Sequence, residues 1–325
     1  MGIRTAAVVG LGAMGTMYAR QFTETLGADA VKVAASGERI ARYRKDGIRC
    51  NGKKCNFLYT DGSREKETGE TADLVLFTVK FGGLRESMEL AAPLVGKDTV
   101  ILSVLNGITS EKILSSRFGR EKVLLCTAQS MDPRRSGNET IYEHMGSIWF
   151  GPQTDGQEKR VRDTEDFFRR TGIEYEETED MTLRLWRKLM LNVGVNQAAM
   201  VYETNYGGMR GSGDARDVLI AAMEEVKTVG NAEGVPLTEE DIRNWLRVID
   251  SGLSASGLPS MRQDAIFCRP TEVELFSGTV REIGRKHHIP TPVNDMLYRM
   301  IRYMESNYRT DKETGTADVC AGREK

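Results

Sequence analysis

The sequence feature that most constrains the fold is a glycine motif close to the first residue. An apolar, strand-forming run at residues 5–9 leads into Gly10-Leu11-Gly12-Ala13-Met14-Gly15, and a helical pattern follows. In such a strand, turn and helix, the first glycine allows the tight turn and the second lets the backbone approach a pyrophosphate. The third lets the helix pack against the strand. The motif therefore predicts a dinucleotide-binding domain in which residues 10–15 hold the pyrophosphate at a helix N-terminus.

Three further apolar runs indicate a parallel sheet. Residues 31–35, 74–79 and 100–105 are strand-forming, and the last two are apolar on both faces, as buried parallel strands are. Lys80 follows one of these strands and Asn106-Gly107 follows another. Because open α/β sheets bind ligands at the carboxyl ends of their strands, we expect Lys80 and Asn106 beside the cofactor. Simple strand-ending turns are the alternative.

The end of the second strand bears on the choice of cofactor. The residue that contacts the ribose is expected about 20 residues after the glycines, and Ala35 and Ser36 stand there without an acid. A carboxylate at that point would accept the ribose 2′-hydroxyl and repel a 2′-phosphate. Its absence, together with Arg39 close by, favours NADPH over NADH. Arg39 as an ordinary surface residue of the next helix is the alternative.

The pattern changes from strands to helices near residue 178. Before it, residues 123–126 form a further strand, 138–142 and 147–150 are expected to pair as antiparallel strands, and 157–171 form a charged helix. After it, five helical patterns follow without strands, at residues 181–202, 214–233, 239–253, 272–288 and 293–308. We predict an α/β Rossmann domain with a doubly wound, mostly parallel sheet at 1–178, an all-α domain at 179–308 and a flexible tail at 309–325.

Composition narrows the class of protein. The 325 residues carry a formal net charge of -2 and 28% charged residues, without a basic block, so we expect neither nucleic acid nor a membrane surface as a partner. No apolar run approaches ~18 residues, the length that spans a membrane, and a cytoplasmic protein is expected. The five cysteines are scattered without metal-ligand spacing, which predicts reduced thiols and no metal site.

A polar row on the first helix of the second domain is the strongest candidate for chemistry. Lys188, Asn192 and Asn196 recur every fourth residue and therefore share one helical face. Their neighbours are apolar, so the row is expected to lie against protein, where unpaired polar groups cost stability. A solvated edge of an amphipathic helix is the alternative for these three residues taken alone.

A second dense segment follows at Ser260-Met261-Arg262-Gln263-Asp264 and Thr271-Glu272-Val273-Glu274. Helix capping and first-turn charge would explain Thr271 and Glu272 without any function. Together with the glycine motif, Lys80, Asn106-Gly107 and the Lys-x-x-x-Asn-x-x-x-Asn row, however, these segments resemble the ketopantoate reductase family. The resemblance extends from residue 8 to about 308, and it implies the same two-domain fold.

The resemblance also implies residue roles. It assigns Ser260 to the substrate carboxylate, Glu272 to the distal hydroxyl of the substrate, and Asn106 to the neighbourhood of the nicotinamide and substrate. Two positions depart from the family pattern: Ser36 stands where an arginine often holds the 2′-phosphate, and Glu274 stands where the family has Asp. The implied reaction is the NADPH-dependent reduction of 2-dehydropantoate (ketopantoate) to pantoate, in pantothenate and coenzyme A biosynthesis.

The chemistry of these residues suits that reaction. Hydride addition to a 2-keto acid leaves a developing alkoxide, which needs a proton donor and fixed electrostatic partners. Lys188 is expected to supply both as the catalytic residue, held by Glu272, while Asn192 and Asn196 donate to substrate oxygens. An ammonium group also favours an anionic substrate. The expected partners are thus NADPH, a small 2-keto acid and a second copy of the chain in a homodimer.

Other functions remain open at this stage. A related 2-keto acid reductase would use the same residues, and a β-hydroxyacid dehydrogenase would share the glycine motif and the helical second domain. A non-catalytic sensor that binds NADP(H) would share only the first domain's properties. The sensor has no use for Lys188, Asn192, Asn196 and Glu272 together, so the sequence favours an enzyme.

Overall fold

The computed structural model describes residues 2–178 and 180–314, with side chains to residue 308. The chain forms two compact units. Among the described residues, the first comprises 2–105 and 109–181, and the second comprises Asn106–Ile108 and 182–314. Each unit has its own arrangement of secondary-structure elements.

The first unit contains twelve strands and six α-helices among the described residues. The strands are β1 (Ala6–Val9), β2 (Val31–Ala34), β3 (Arg49–Cys50), β4 (Lys53–Lys54), β5 (Leu58–Thr60), β6 (Ala72–Phe77), β7 (Val95–Ser103), β8 (Leu125–Gln129), β9 (Arg134–Ser136), β10 (Glu139–Ile141), β11 (Ser147–Gly151) and β12 (Glu174–Glu177). The helices are α1 (Ala13–Leu26), α2 (Gly37–Asp46), α3 (Ser63–Thr68), α4 (Leu84–Ala91), α5 (Ser110–Phe118) and α6 (Glu158–Thr171).

The central sheet confirms the predicted fold class. It has the strand order β5-β2-β1-β6-β7, and every neighbouring pair in it is parallel. All four residues of β1 are buried, as a central strand covered on both faces requires. An apolar cluster lies on each face of the sheet. One contains Val8 and Phe22 of α1, and the other contains Val9 and Leu84 of α4. Helices therefore cover both faces, as in a doubly wound sheet.

The expected antiparallel pairing of residues 138–142 with 147–150 was wrong. Strand β10 pairs antiparallel with β9 and parallel with β3, whereas β11 pairs antiparallel with β8 and parallel with β12. The two segments thus belong to different sheets. Both have strand-forming residues, but alternation along a strand does not specify its partner, which is set by tertiary contacts.

Two glycines of the motif carry the close approach between β1 and α1. Gly10 has φ +92°, which residues with a side chain rarely adopt. A Cβ atom on Gly15 would lie 2.1 Å from the Gly10 carbonyl oxygen and 2.5 Å from Thr78 Oγ1. Any side chain at Gly15 would therefore push the helix away from the strand, as the sequence motif predicted.

The second unit is built from helices, also as predicted. They are α7 (Met181–Leu191), α8 (Gln197–Val201), α9 (Asp214–Ala232), α10 (Glu239–Arg247), α11 (Ser260–Ile266), α12 (Thr279–Lys286) and α13 (Pro292–Thr314). Helix α10 begins with a capping box, in which Thr238 and Asp241 each bond the other's backbone N–H. Helix α11 was not predicted, because its seven residues are too short for a periodic pattern.

Three π turns interrupt the predicted long helices. They span Asn192–Asn196, Val248–Gly252 and Glu274–Gly278. A π turn holds one residue more than an α turn, so the side chains after it point in a different direction. Such turns are frequent at functional sites. The first begins one helical turn after Lys188, at Asn192, and the third begins at Glu274, two residues after Glu272.

Of the predicted flexible tail, residues 309–314 continue α13, and residues 315–325 lie outside the described part of the structure. Within the described residues, no helix combines the length and apolar character needed to span a bilayer.

Gly194 provides a test of the packing around the first π turn. A Cβ atom there would lie 2.8 Å from Met223 Cγ and 2.9 Å from the Leu219 carbonyl oxygen of α9. The overpacking in Gly194→Ala should cost roughly 1–3 kcal/mol of the free energy of unfolding. The ~1 kcal/mol that alanine gains over glycine inside a helix offsets part of this cost, so the cost is measured against a variant that has the same gain.

Gly252→Ala is the matched control, because it ends another π turn and its added Cβ would meet Val248 Cγ1 at an ordinary 3.5 Å. Denaturant unfolding of the two variants and the wild type measures the difference. Equal stability of the two variants would contradict the close approach at Gly194.

Candidate active site

A cavity of about 800 Å³ lies in the first unit beside the glycine motif. Its walls are the glycine loop, the end of β2, the start and outer face of α2, the segment after β6 and the β9–β10 turn. Of the predicted cofactor residues, it is lined by Gly10, Leu11, Gly12, Ser36, Arg39 and Lys80. The structure thus brings together residues from three separate parts of the sequence.

The start of α1 fits a pyrophosphate. Gly12 is the N-cap and has no side chain to occupy the helix N-terminus, and the first turn carries no acid. The Thr16 N–H donates to the Gly12 carbonyl at 3.0 Å, which leaves the N–H groups before it outside the helical pattern. A Cβ on Gly12 would meet no atom within 4 Å, so its backbone faces open space. Ala13, Met14 and Gly15 form this first turn, where a phosphate would be stabilised.

The remaining predicted cofactor residues differ in their surroundings. Ser36 is the N-cap of α2 without a side-chain cap bond, Arg39 is exposed, and Lys80 is exposed at the segment after β6. Asn106 belongs to the second unit. Arg42, Arg135 and Asn138 also line the cavity and were not selected from the sequence. No motif contains them, and β9 and β10 join the cavity only through tertiary pairing.

In the second unit, the polar row of α7 and the π turn is buried, as expected. Asn192 is 9% exposed and Asn196 is 6% exposed. Asn196 Nδ2 donates to Asn192 Oδ1 at 3.2 Å, and Asn196 Oδ1 accepts from the Ser260 hydroxyl at 3.1 Å and the Met261 N–H at 3.0 Å. The structure therefore joins the row to the Ser260 segment, which lies 64 residues away in the sequence.

One amide group in this row has its hydrogen-bonding capacity unused. Asn192 Nδ2 is buried and has no hydrogen-bond partner among the described residues. Leaving a buried donor unpaired costs about 1–3 kcal/mol, so a ligand oxygen at this point would recover that free energy. Lys188, one turn earlier on α7, is half-buried. The arrangement provides an amide donor and an ammonium group on one face of a helix, beside the exposed Ser260 hydroxyl.

Glu272 is held together with Asn106 rather than by helix capping. Asn106 Nδ2 donates to Glu272 Oε2 at 2.8 Å. The preceding Thr271 is fixed by Glu305, whose carboxylate accepts from the Thr271 N–H and hydroxyl at 2.7 Å each. The backbone before Glu272 therefore has a defined position, and the carboxylate has a neutral donor as one of its partners.

Glu274, where the family pattern has Asp, is directed elsewhere. Its side chain is exposed, and Glu274 Oε1 accepts from the Tyr298 hydroxyl at 2.6 Å. This bond raises the pKa of Tyr298, because the hydroxyl proton is held by a carboxylate. The Arg281 guanidinium lies 4.0 Å from the centre of the Tyr298 ring. Glu274 thus takes part in a contact between the third π turn and α13.

Gln197 connects two of the π turns and was not selected from the sequence. Its Nε2 donates to the Val193 carbonyl at 2.7 Å, and its Oε1 accepts from the Ser277 N–H at 3.3 Å. The Ser277 hydroxyl lies 2.5 Å from the same oxygen and 2.9 Å from Asn294 Oδ1. All three polar side chains are fully buried. The Gln197 amide thereby fixes the turn that carries Asn192 relative to the turn that follows Glu272.

The cysteines and a group of potential metal ligands are not among these residues. Cys50, Cys55 and Cys126 are free thiols, but Cys268 is disulfide-bonded, so the expectation of thiols throughout was wrong there. Disulfide pairing depends on distance in the fold and not on spacing in the sequence. Within the described part of the chain, Asp132, Glu143 and His144 have potential ligand atoms within 4.8 Å of one another. The Asp132 carboxylate already accepts the backbone N–H groups of the other two.

Known proteins resemble both units of the chain. The family model described as Ketopantoate reductase PanE/ApbA matches residues 6–155, and the model of its C-terminal part matches residues 180–305. A Vibrio cholerae protein named 2-dehydropantoate 2-reductase is 27% identical over 238 residues, which cover 73% of this chain and 79% of that protein. A Streptococcus pyogenes protein of the same name is 23% identical over 301 residues, or 92% and 97% of the two chains.

Solved structures share the fold. D-mandelate dehydrogenase in a ternary complex with NADH and anilino(oxo)acetate superposes with a TM-score of 0.84 at 22% identity, covering 94% of this chain and 99% of that chain. A dimeric ketopantoate reductase from Staphylococcus aureus superposes with a TM-score of 0.76 at 19% identity, with the same coverage. At this identity, the likeness establishes the architecture.

The Gln197 bridge predicts the effect of removing its amide. Gln197→Met keeps the size of the side chain but leaves the Val193 carbonyl and the Ser277 N–H without this partner. We expect the free energy of unfolding to fall by roughly 1–3 kcal/mol for each buried group left unpaired. Ligand affinity at Asn192 should fall as well, because the turn loses its fixed position.

Gln21→Met is the matched control, since Gln21 Nε2 donates one comparable bond, to the Thr171 carbonyl, in the first unit. It should lose less stability and leave affinity at Asn192 unchanged. Unfolding curves and substrate titrations on both variants measure these effects. A Gln197→Met protein with wild-type stability would show that the bridge contributes nothing to the unit.

Proposed function

The chain belongs to the ketopantoate reductase family, and on that premise we propose that it reduces 2-dehydropantoate to pantoate with NADPH. The family consists of oxidoreductases, and the homologues in Vibrio cholerae and Streptococcus pyogenes are named for this reaction. We also propose a cytoplasmic homodimer that serves pantothenate and coenzyme A biosynthesis. The dimeric Staphylococcus aureus reductase supports the oligomeric part of this proposal.

The observation that carries the proposal is the unpaired amide of Asn192. Its Nδ2 is buried without a partner among the described residues, next to Asn196, whose orientation Ser260 and Met261 fix. A carboxylate or ketone oxygen is the acceptor that such a donor lacks. With the Lys188 ammonium on the same helix, the site favours an anionic substrate that is rich in oxygen. A 2-keto acid has both properties.

The proposed mechanism assigns each residue a step. The nicotinamide cofactor supplies the hydride, and the glycine loop with the start of α1 holds its pyrophosphate. Asn192 and Ser260 bind and orient the substrate oxygens. Lys188 stabilises the alkoxide that develops at the former ketone and gives it a proton from Nζ. Glu272, which already accepts a hydrogen bond from Asn106, accepts a second one from the distal hydroxyl of the substrate and thereby orients that end of the substrate.

A related 2-keto acid reductase is the second candidate, and one contact favours it. Glu272 Oε2 already has a donor in Asn106, so this carboxylate has a partner without any substrate hydroxyl. A 2-keto acid that lacks the hydroxyl would then leave no buried group unpaired, and a site of this kind discriminates weakly between the two. The choice of substrate therefore depends on whether Glu272 accepts a second bond.

A substrate panel separates these functions. NADPH oxidation is followed with ketopantoate and 2-ketoisovalerate, and NADP⁺ reduction with 3-hydroxyisobutyrate. If Glu272 accepts a second bond, from the substrate hydroxyl, ketopantoate should have a kcat/KM roughly 100-fold or more above that of 2-ketoisovalerate, because the second acid leaves this bond unmade. Equal values would favour the broader reductase, and turnover of 3-hydroxyisobutyrate alone would favour a β-hydroxyacid dehydrogenase. Nucleotide binding without any turnover would indicate a sensor.

The role of Lys188 is tested by two substitutions. Lys188→Ala should lower kcat by ~10²–10⁴, the usual loss when a positioned proton donor is removed. Lys188→Arg keeps the charge but releases a proton far less readily, so it should restore substrate affinity and not the rate. Affinity for the nucleotide should stay near the wild-type value in both.

Rate constants, substrate affinity and thermal stability are to be measured on the same three proteins. If Lys188 only stabilises the fold, both substitutions lower the melting temperature and leave kcat of the folded protein near normal. A Lys188→Arg enzyme that turns over at the wild-type rate would remove Lys188 from the proton transfer.

A further inference from the structure

Three arginines line the cavity of the first unit. Arg39 and Arg42 lie one turn apart on α2, and Arg135 lies on β9. Only Arg39 was selected from the sequence. The other two reach the same cavity from a helix face and from a strand that is distant in the sequence.

None of the three guanidinium groups forms an ion pair with an acid in residues 2–178 or 180–308, the part of the chain with described side chains. The cavity wall contains two acids, Asp46 and Glu86, and neither is within ion-pair distance of an arginine of this set. Three like charges around one cavity repel each other unless an anion enters. With Lys80 included, four cationic side chains and these two acids line the cavity, and the excess of two positive charges favours a ligand with at least two negative charges.

Arg135 is held in place by the glycine loop. Its Nη1 donates to the Leu11 carbonyl and lies 3.5 Å from Thr16 Oγ1, and its Nε donates to the Gly137 carbonyl at 3.0 Å. Side chains alternate along β9, so Arg134 and Ser136 are exposed while Arg135 is half-buried. The guanidinium is thus fixed before any ligand binds, which lowers the entropy lost on binding.

The surroundings of Arg135 disfavour its charge without a counter-ion. Burial lowers the pKa of the Arg135 guanidinium below its ordinary value, and the like charge of Arg42 lowers it further. The end of β2 offers no carboxylate that would repel an anion, since Ala35 and Ser36 stand there. An anion with oxygen atoms in several directions, such as a phosphate, suits planar guanidinium donors.

We propose that Arg39, Arg42 and Arg135 together bind a phosphate monoester, the 2′-phosphate of the nicotinamide cofactor. The set replaces an arginine at the position of Ser36. This inference rests on the proposed function for its ligand, a nicotinamide dinucleotide, and adds two specificity-determining residues to it. It is a statement about binding, so it can be tested without turnover.

Calorimetric titration of the full chain with adenosine 2′,5′-bisphosphate and with 5′-AMP isolates the 2′-phosphate, the only group in which the two probes differ. The wild type should bind the bisphosphate more tightly by at least ~10-fold. Arg42→Ala and Arg135→Ala should each reduce that ratio about 10-fold or more, the effect of losing a hydrogen bond to a charged group.

Two neighbouring arginines are the matched controls. Arg44 is exposed on α2 and lines a different cavity, and Arg134 precedes Arg135 on the exposed face of β9. Arg44→Ala and Arg134→Ala should leave the ratio of affinities at the wild-type value. Because the ratio is the measurement, a general loosening of the glycine loop, which weakens both probes alike, does not mimic the predicted effect.

The outcomes are distinct. Equal affinity of the wild type for the two probes would overturn the phosphate site. A ratio that is unchanged in Arg42→Ala or in Arg135→Ala would overturn the assignment of that residue. A protein that shows the predicted ratios but reduces no 2-keto acid would contradict the proposed function and leave the phosphate site standing.

Discussion

The free energy lost when an amide is buried without partners governs the construction of the second unit. Asn192, Asn196 and Gln197 lie within six consecutive buried residues, and each side chain carries both donors and an acceptor. Asn196 forms hydrogen bonds with its neighbour Asn192 and with Ser260, and Gln197 forms them with the Val193 carbonyl and with Ser277. Asn192 Nδ2 remains without a partner in the part of the chain that the structure describes. The Asn196 and Gln197 amides thus hold the turns of the unit together, and the Asn192 Nδ2 donor is available to a ligand.

The π turn explains how adjacent amides serve different purposes. Asn196 ends the turn and Gln197 begins α8, and their side chains reach separate segments: the start of α11 for Asn196 and the third π turn, after Glu272, for Gln197. The Val193 carbonyl, inside the turn, accepts a bond from the Gln197 amide, which ties the side chain after the turn to the backbone of the turn. The irregular helix and the buried network are therefore two aspects of one arrangement. Gly194 is part of it as well, since α9 packs against its backbone.

The sequence predicted those parts of the molecule that depend on local patterns. The glycine motif, the parallel strands and the helical second unit all follow from spacing and apolar periodicity, and the structure confirms them. The pairing of strands could not be predicted, because the sequence of a strand such as β10 does not specify which strand it pairs with. The π turns were also missed, since five apolar-flanked residues fit an α-helix equally well. The role of Gln197 could not be predicted either, because its partners Ser277 and Asn294 are distant in the sequence.

The position of Ser36 shows why a missing motif residue does not settle the chemistry. A motif fixes one residue at one backbone position, whereas an electrostatic requirement concerns the total charge around a point in space. Arginine side chains are long, so a guanidinium can arrive there from a helix such as α2 or from a strand such as β9. The charge balance of the whole cavity is therefore a better indicator of anion binding than the identity of Ser36. By that measure, three guanidinium groups without ion pairs among the described side chains outweigh one absent arginine.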